Sequence, residues 1–382
     1  MKTIVVLGSS YLVFLSLISS IIFSAAGSHS PPAVKGAYWP SSANSVFPPS
    51  SIDSTLFTHI FYAFLSPNEK TYKFDIDNST ASVLLNFTST LHSKKPPLKT
   101  LYSIGGGAAD SSLYARMASN EYSRMTFISS TIEVARKFGF DGIDLDWEFP
   151  KDAKEMDYFS YLIDDWRVEV EREAKVTGRA PLLLTAAVYF SNSFILESPI
   201  RSYHVASINK NLDMVNAMCY DFAGAWNTSV TGAHAALFDP NGHVSTSYGL
   251  NSWLKAGLWK SKLVMGLPLY GKTWTLKDPS VNGVGAPAVN VGPSGPGGNG
   301  TLFYYEIKDY ILKHKAKVTF DVKTVSVYGV DGKIWIGYDD RRSVALKLGY
   351  AQILGIRGYF FWALSFDQNS EISKTASALW KR

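Results

Sequence analysis

Short apolar runs recur along the chain, spaced widely enough for a helix between most neighbours. They are Val34–Trp39, His59–Leu65, Lys99–Ile104, Gly142–Phe149, Leu182–Tyr189, Met214–Tyr220, Leu263–Leu269 and Gly358–Ala363. Each is nearly continuous in hydrophobicity, the signature of a strand covered on both faces. The stretches between them carry a helical period. Met125–Phe138 sets Met125, Ile128, Ile132, Val134, Ala135 and Phe138 in an amphipathic pattern. Met156–Ala174 sets Phe159, Tyr161, Leu162, Trp166 and Val170 against Asp164, Asp165, Glu169 and Glu171, and Ser343–Leu354 repeats the theme. Strand alternating with helix predicts a parallel sheet. Eight such strands predict an α/β fold, a (β/α)8 TIM barrel. A doubly wound open sheet is the alternative, and no Gly-x-Gly-x-x-Gly follows any of these runs.

One interval breaks the rhythm. Between Gly271 and Gly358 lie 86 residues, far more than one helix needs. They hold a Gly/Pro-rich loop, Val281–Gly300, and then the pieces Leu302–Tyr305, Lys317–Phe320, Thr324–Tyr328 and Lys333–Tyr338. This predicts a small α+β insertion, about 272–340, between strands 7 and 8 of a single domain spanning 27–382. Trp335 and Tyr338 read as its core.

The N-terminus reads as an address. A short positive start, Met1-Lys2-Thr3, precedes the uncharged apolar run Ile4–Phe23 and the small residues Ser24-Ala25-Ala26-Gly27. That is the pattern of a signal peptide cleaved after about Ala26. A membrane anchor is the rival, but serines dilute the run and no basic stop-transfer cluster follows. Secretion is therefore expected, with the vacuole as a lesser alternative and no membrane association after cleavage. Four sequons fit it: Asn78, Asn86, Asn227 and Asn299 each open an Asn-x-Ser/Thr triplet.

Composition adds exclusions. At 14% aromatic and 18% charged, the chain is not a disordered one. With one cysteine, Cys219, no intrachain disulfide forms, and the thiol reads as buried core. A net charge of +5, with no basic cluster longer than two residues, speaks against nucleic-acid binding. A monomer is the expected state.

The chemistry concentrates in Phe140-Asp141-Gly142-Ile143-Asp144-Leu145-Asp146-Trp147-Glu148-Phe149-Pro150. Side chains alternate along a strand, so Asp144, Asp146 and Glu148 share one face and Ile143, Leu145 and Trp147 the other. Three buried acids on one face cannot all stay charged. Glu148 stands last, at the C-terminal end where barrel sites are built. Coupling to Asp146 would keep it protonated as a general acid. Asp141 has the opposite parity and reads as a structural hydrogen-bonding residue. A metal site is disfavoured, because alternate residues of a straight strand converge poorly on one ion and no His stands beside them. No cofactor is called for. His59 reads as a satisfied structural histidine.

Asp141-x-x-Asp144-x-Asp146-x-Glu148 resembles the catalytic signature of glycoside hydrolase family 18, the chitinases. Ser103-Ile104-Gly105-Gly106 is similar to that family's third-strand motif, Met218-Cys219-Tyr220-Asp221 to its sixth-strand motif, and Gly266–Gly271 to its seventh-strand segment. Trp362 matches its eighth-strand tryptophan. The resemblance runs from about Val34 to the C-terminus and is nearest to plant class V chitinases. It departs at Gly107, where many members carry Trp, at Cys219, where Ala is common, and at Lys272, where Arg is common.

The resemblance implies a fold, a substrate and roles. The substrate is chitin or a chito-oligosaccharide, cut at β-1,4-linked N-acetylglucosamine from within the chain. Glu148 protonates the glycosidic oxygen. The substrate's own acetamido oxygen attacks the anomeric carbon, with retention, so this family departs from the two-carboxylate rule. Asp146 orients the acetamido group, Asp144 supports Asp146, Tyr220 bonds the acetamido oxygen and Asp221 helps bind the sugar. Trp362 floors the sugar ring, and Tyr38, Phe64, Met218, Trp226 and Tyr270 are further cleft candidates. A hydrolase specialised for lipo-chitooligosaccharide (Nod factor) signals is one alternative. A chitinase-like lectin is another, and such lectins usually replace the acid that Glu148 retains.

Overall fold

A computed structural model describes residues 31–380 other than Ser198 and Asn241. The expected signal peptide lies outside the described residues. From Ala33 onward the chain forms one compact unit.

The eight apolar runs are eight strands: β1 (Val34–Pro40), β2 (His59–Leu65), β3 (Lys99–Gly105), β4 (Gly142–Asp146), β5 (Leu183–Tyr189), β6 (Met214–Met218), β7 (Leu263–Pro268) and β8 (Gly358–Trp362). Each pairs in parallel with its sequence neighbours, and β8 returns to β1 with Val34 opposite Gly358. The barrel is closed, which removes the open-sheet alternative.

The helices are α1 (Asn78–Ser93), α2 (Ser111–Ala118), α3 (Glu121–Phe138), α4 (Ala153–Thr177), α5 (Val205–Asn211), α6 (Thr246–Lys255), α7 (Tyr304–His314), α8 (Arg341–Leu354) and α9 (Glu371–Leu379). Their starts are chemically marked. Asp152 accepts from Glu155 N–H before α4, Asn120 from Tyr122 N–H before α3, and Asp340 from Arg342 N–H before α8. Helix α1, capped by Asp77, buries Leu84, Phe87 and Leu91. It was not among the sequence-predicted helices, because Ser, Thr and Asn dilute its stripe.

The outward faces of the strands and the inward faces of the helices share one large apolar core, which includes Trp39, Tyr102, Trp147, Trp166 and Trp253. A smaller cluster fills the lumen: Val34, Tyr38, Phe61, Leu101, Met214, Val264 and Phe360. That plug closes the lower barrel and leaves only the C-terminal mouth open to chemistry.

After β7 the chain leaves the barrel as strands Tyr270–Leu276, Ala288–Val291 and Thr301–Phe303, helix α7, and strands Lys317–Asp321, Ser326–Asp331 and Ile334–Tyr338. These strands form an antiparallel six-stranded sheet. Trp274, Leu276, Tyr328 and Trp335 make a core of its own, while Tyr338 packs into the barrel core. Among the described residues no helix is long and apolar enough to cross a membrane.

Candidate active site

The site begins with β4. Asp144 is fully buried in the lumen. Its Oδ2 accepts from Tyr38 Oη at 2.8 Å and Ser103 Oγ at 2.7 Å, and its Oδ1 accepts from Thr185 Oγ1. Asn216 Nδ2 donates to Tyr38 Oη at 2.9 Å. Burial pushes the Asp144 carboxyl up, and the three hydroxyls pull against it. One polar layer thus ties β1, β3, β4, β5 and β6 around a single carboxylate.

Asp146, one pleat higher, is buried, and its Oδ1 has no hydrogen-bond partner among the described residues. Burial, Glu148 and Asp144 together push it well above the usual carboxylate range. Its backbone is crowded. The carbonyl of Asp146 accepts from Gly106 N–H at 2.9 Å. A Cβ on Gly105, at φ +113°, would lie 2.1 Å from that carbonyl, and one on Gly106 would lie 2.5 Å from the Phe64 ring. Only glycine fits either position.

The strand ends at Asp146, not at Phe149 as the apolar run implied. Glu148 lies beyond the pleat, and what fixes it is α2. Ser111 Oγ accepts from Trp147 Nε1 at 2.8 Å and donates to the Phe149 carbonyl at 2.9 Å, gripping both neighbours of the acid. Trp147 still packs outward in the core, as the alternation required. Burial and then Asp221 push the Glu148 carboxyl up to about 7. Glu148 and Asp146 repel one another as neighbouring buried carboxyls, as the sequence reading expected, and Asp221, from the β6 loop, adds a further negative charge beside Glu148.

Tyr220 and Asp221 follow β6. Burial, foremost, and then Asp146 push the Tyr220 hydroxyl up, so it stays a proton donor. Asp221 adopts a left-handed backbone, φ 57°, with Lys272 Nζ at 3.3 Å and His234 Nδ1 at 3.9 Å from Oδ1. Burial pushes the Asp221 carboxyl up, but His234 and Lys272 outweigh it and hold the group below its ordinary value.

Two cavities meet here. One, about 320 Å³, is lined by Tyr38, Phe64, Gly107, Ala187, Asp146 and Trp362. Trp362 stacks on Phe64 with ring centres 5.5 Å apart and lies 5.6 Å from Tyr38. The other, about 390 Å³, is lined mostly by apolar side chains: Phe149, Tyr189, Phe190, Leu196, Phe222 and Val244. Trp226, 65% exposed, stands at its rim. Glu148, Met218, Tyr220 and Asp221 line both cavities. The peptide bonds Ala63–Phe64, Glu148–Phe149 and Trp362–Ala363 are cis.

Most sequence-predicted residues gather at this mouth. Tyr270 lines neither cavity: its ring is buried, 6.2 Å centre to centre from that of Tyr220, and its hydroxyl meets the Asp221 carboxylate. Asp141 sits below, accepting from Thr100 N–H at 2.9 Å, Lys99 Nζ at 2.7 Å and His92 Nε2 at 2.9 Å. Burial pushes the Cys219 thiol up to about 12, an inert core group. His59 is buried and contacts Thr58 Oγ1 at 2.8 Å. Sequence reasoning missed Ser111, Thr185, Asn216, His234 and the apolar wall. A signal existed for two of them, since Thr185 and Asn216 are polar residues inside apolar strands. Among the described residues, no three His, Cys, Asp or Glu side chains gather as a metal site.

Comparison with known proteins agrees with this geometry. Residues 35–367 match the family described as Glycosyl hydrolases family 18. The chain is 51% identical over 352 residues to Nod factor hydrolase protein 1 of Medicago truncatula, covering 91% of this chain and 90% of that protein. It is 50% identical over 349 residues to class V chitinase CHIT5b of the same plant, with the same coverage. The crystal structure of a GH18 chitinase from Cycas revoluta in complex with (GlcNAc)3 superposes with a TM-score of 0.86 at 40% identity, over 91% of this chain and all of that one. With the barrel, the carboxylate ladder and these matches, the chain belongs to glycoside hydrolase family 18.

Proposed function

We infer that this glycoside hydrolase is a chitinase that cuts β-1,4-linked N-acetylglucosamine chains from within. The observation that carries this reading is that Glu148, Tyr220 and Asp221 line both cavities. A sugar chain crossing the mouth has residues on either side of Glu148, as an internal cut requires. A carboxyl held near 7 is protonated at mildly acidic pH and can release its proton as the glycosidic bond breaks.

The chemistry follows from what surrounds it. As the C1–O bond breaks, its electron pair goes to the leaving oxygen, which takes the Glu148 proton. The acetamido oxygen of the same sugar closes on C1, forming an oxazolinium ion. Asp146, with an unpartnered buried oxygen, accepts the acetamido N–H, and Tyr220 donates to the acetamido oxygen. Water, deprotonated by the Glu148 carboxylate, then opens the ring with net retention. Trp362 supports the sugar from below. NMR of the first products from chitohexaose tests this: the new reducing ends should be β-anomers. Initial α-anomers would replace the mechanism with an inverting one.

A second reading is favoured by the apolar cavity. Phe149, Phe190, Leu196, Phe222 and Val244 offer a hydrocarbon chain more than a second sugar needs, and a relative named for Nod factor hydrolysis shares half its residues. Rates on chitotetraose with and without an N-linked fatty acyl group separate the two. Secretion as a glycoprotein fits the leader-like segment and the exposed side chains of Asn78, Asn86, Asn227 and Asn299.

A further inference from the structure

Behind Asp221 lies a histidine that the mechanism above does not use. His234 is 1% exposed. Its Nε2 is 3.1 Å from the Tyr270 carbonyl oxygen. A carbonyl only accepts, so Nε2 carries a hydrogen. The other nitrogen, Nδ1, faces Asp221 Oδ1 at 3.9 Å, too far for a hydrogen bond and near enough for an ion pair. It has no hydrogen-bond partner among the described residues. A neutral ring with its hydrogen on Nε2 therefore aims a lone pair at a carboxylate. The opposite tautomer aims one at a carbonyl. Only the imidazolium gives both neighbours an N–H.

The surrounding charges are divided. Burial is the largest influence and on balance holds the His234 ring below its ordinary value; Lys272, on the strand Tyr270–Leu276, acts in the same direction. Asp221 pulls toward the cation, and Asp339, paired with the buried Lys347 of α8, adds to that pull. Glu148 lies across the cavity wall from Asp221, and the hydroxyls of Tyr220 and Tyr270 border the same carboxylate. His234 thus takes up its proton only as the medium turns acid, and that proton bears on how firmly Asp221 is held.

We propose that His234 is a positioning residue for Asp221: as an imidazolium it donates Nε2–H to the Tyr270 carbonyl and Nδ1–H to Asp221, fixing the carboxylate between the two cavities as the medium turns acid. The effect on Asp221 has a definite sign. A neighbouring N–H and positive charge favour the ionised carboxylate, so His234 extends to lower pH the range in which Asp221 stays charged. The proposal rests on the reading of Asp221 as part of the chito-oligosaccharide site.

The two nitrogens can be separated. Asn carries its amide nitrogen near the place of Nδ1, and Gln near that of Nε2. The pH profile of kcat/KM on chitotetraose is measured for wild type, His234→Asn and His234→Gln, with thermal melts beside each. In His234→Gln the acid limb should move up by about half a unit to one unit. In His234→Asn it should move less, because an N–H still faces Asp221. An unmoved limb in His234→Gln, or equal limbs in both variants, would reduce His234 to an anchor for the Tyr270 carbonyl and overturn the proposal. A second measurement needs neither variant to fold nor any substrate. The His234 ring is titrated by NMR in wild type and in Asp221→Asn, and its protonation midpoint should fall in the variant. An unchanged midpoint overturns the proposal, while unchanged hydrolysis in Asp221→Asn with a shifted midpoint faults only the reading of the site.

Discussion

The Tyr38 hydroxyl lies 2.8 Å from Oδ2 of Asp144, in the closed part of the lumen below the mouth. Tyr38 accepts from Asn216 while donating to Asp144, so one phenol links β6 to β4 through β1. The carboxylate it serves touches neither cavity wall. Its place is to hold the floor on which Asp146 stands.

Tyr38→Phe removes a donor from a buried carboxylate and leaves the Asn216 amide without its acceptor. Hydrogen bonds to charged groups contribute about 1.5–3 kcal/mol each. The variant should fold but lose unfolding free energy of that size, read as a lower urea midpoint at unchanged slope. A denaturation midpoint equal to wild type would show that Ser103 and Thr185 suffice for Asp144.

Glu148→Gln keeps the shape of the acid and removes its proton. Turnover on chito-oligosaccharides should fall by about 10²–10⁴-fold or more, with oligosaccharide affinity nearly unchanged by calorimetry. Wild-type turnover in this variant would move the acid to another residue.

The Glu148 pKa has two consequences with opposite readouts. Activity needs the protonated form, so kcat/KM should hold below about 7 and fall above it. Asp221→Asn removes a charge that pushes Glu148 up, so the falling limb should move to lower pH. Stability runs the other way from an ordinary acid. Between the usual glutamate value of about 4.3 and about 7, the folded state binds a proton that the unfolded state has released. Stability present below that window is therefore lost as pH rises through it. Glu148→Gln should show less of this loss in melts recorded across the same range.

Trp362→Ala separates a cleft residue from a core one. The ring is half-buried and stacked on Phe64. Loss of a stacking partner should weaken sugar binding by about 0.5–1.5 kcal/mol beyond area burial, and turnover should fall with it if the ring also holds a distorted sugar. A core tryptophan would instead cost about 3–5 kcal/mol of stability. A large drop in melting temperature with unchanged affinity would remove Trp362 from the site.

The sequence alone determined the eight strands, because each is an apolar run buried on both sides and that pattern is local. It also determined which side of β4 carries the acids, since parity along a strand is a two-residue property. Asp144, Asp146, Tyr220 and Trp362 were legible as a set only through the family's spacing. The tertiary structure decided what periodicity cannot encode. The strand stops at Asp146, and Glu148 is held from outside by Ser111, a residue 37 positions earlier. Asp221, brought in by the β6 loop, adds a second charge that raises Glu148. Tyr270 lines neither cavity and its hydroxyl meets Asp221 instead, and His234 came to lie beside Asp221 from farther along the same β6–α6 connection. These are contacts between segments distant in sequence, so their chemistry depends on barrel closure. No run of neighbouring residues specifies which side chains closure brings together.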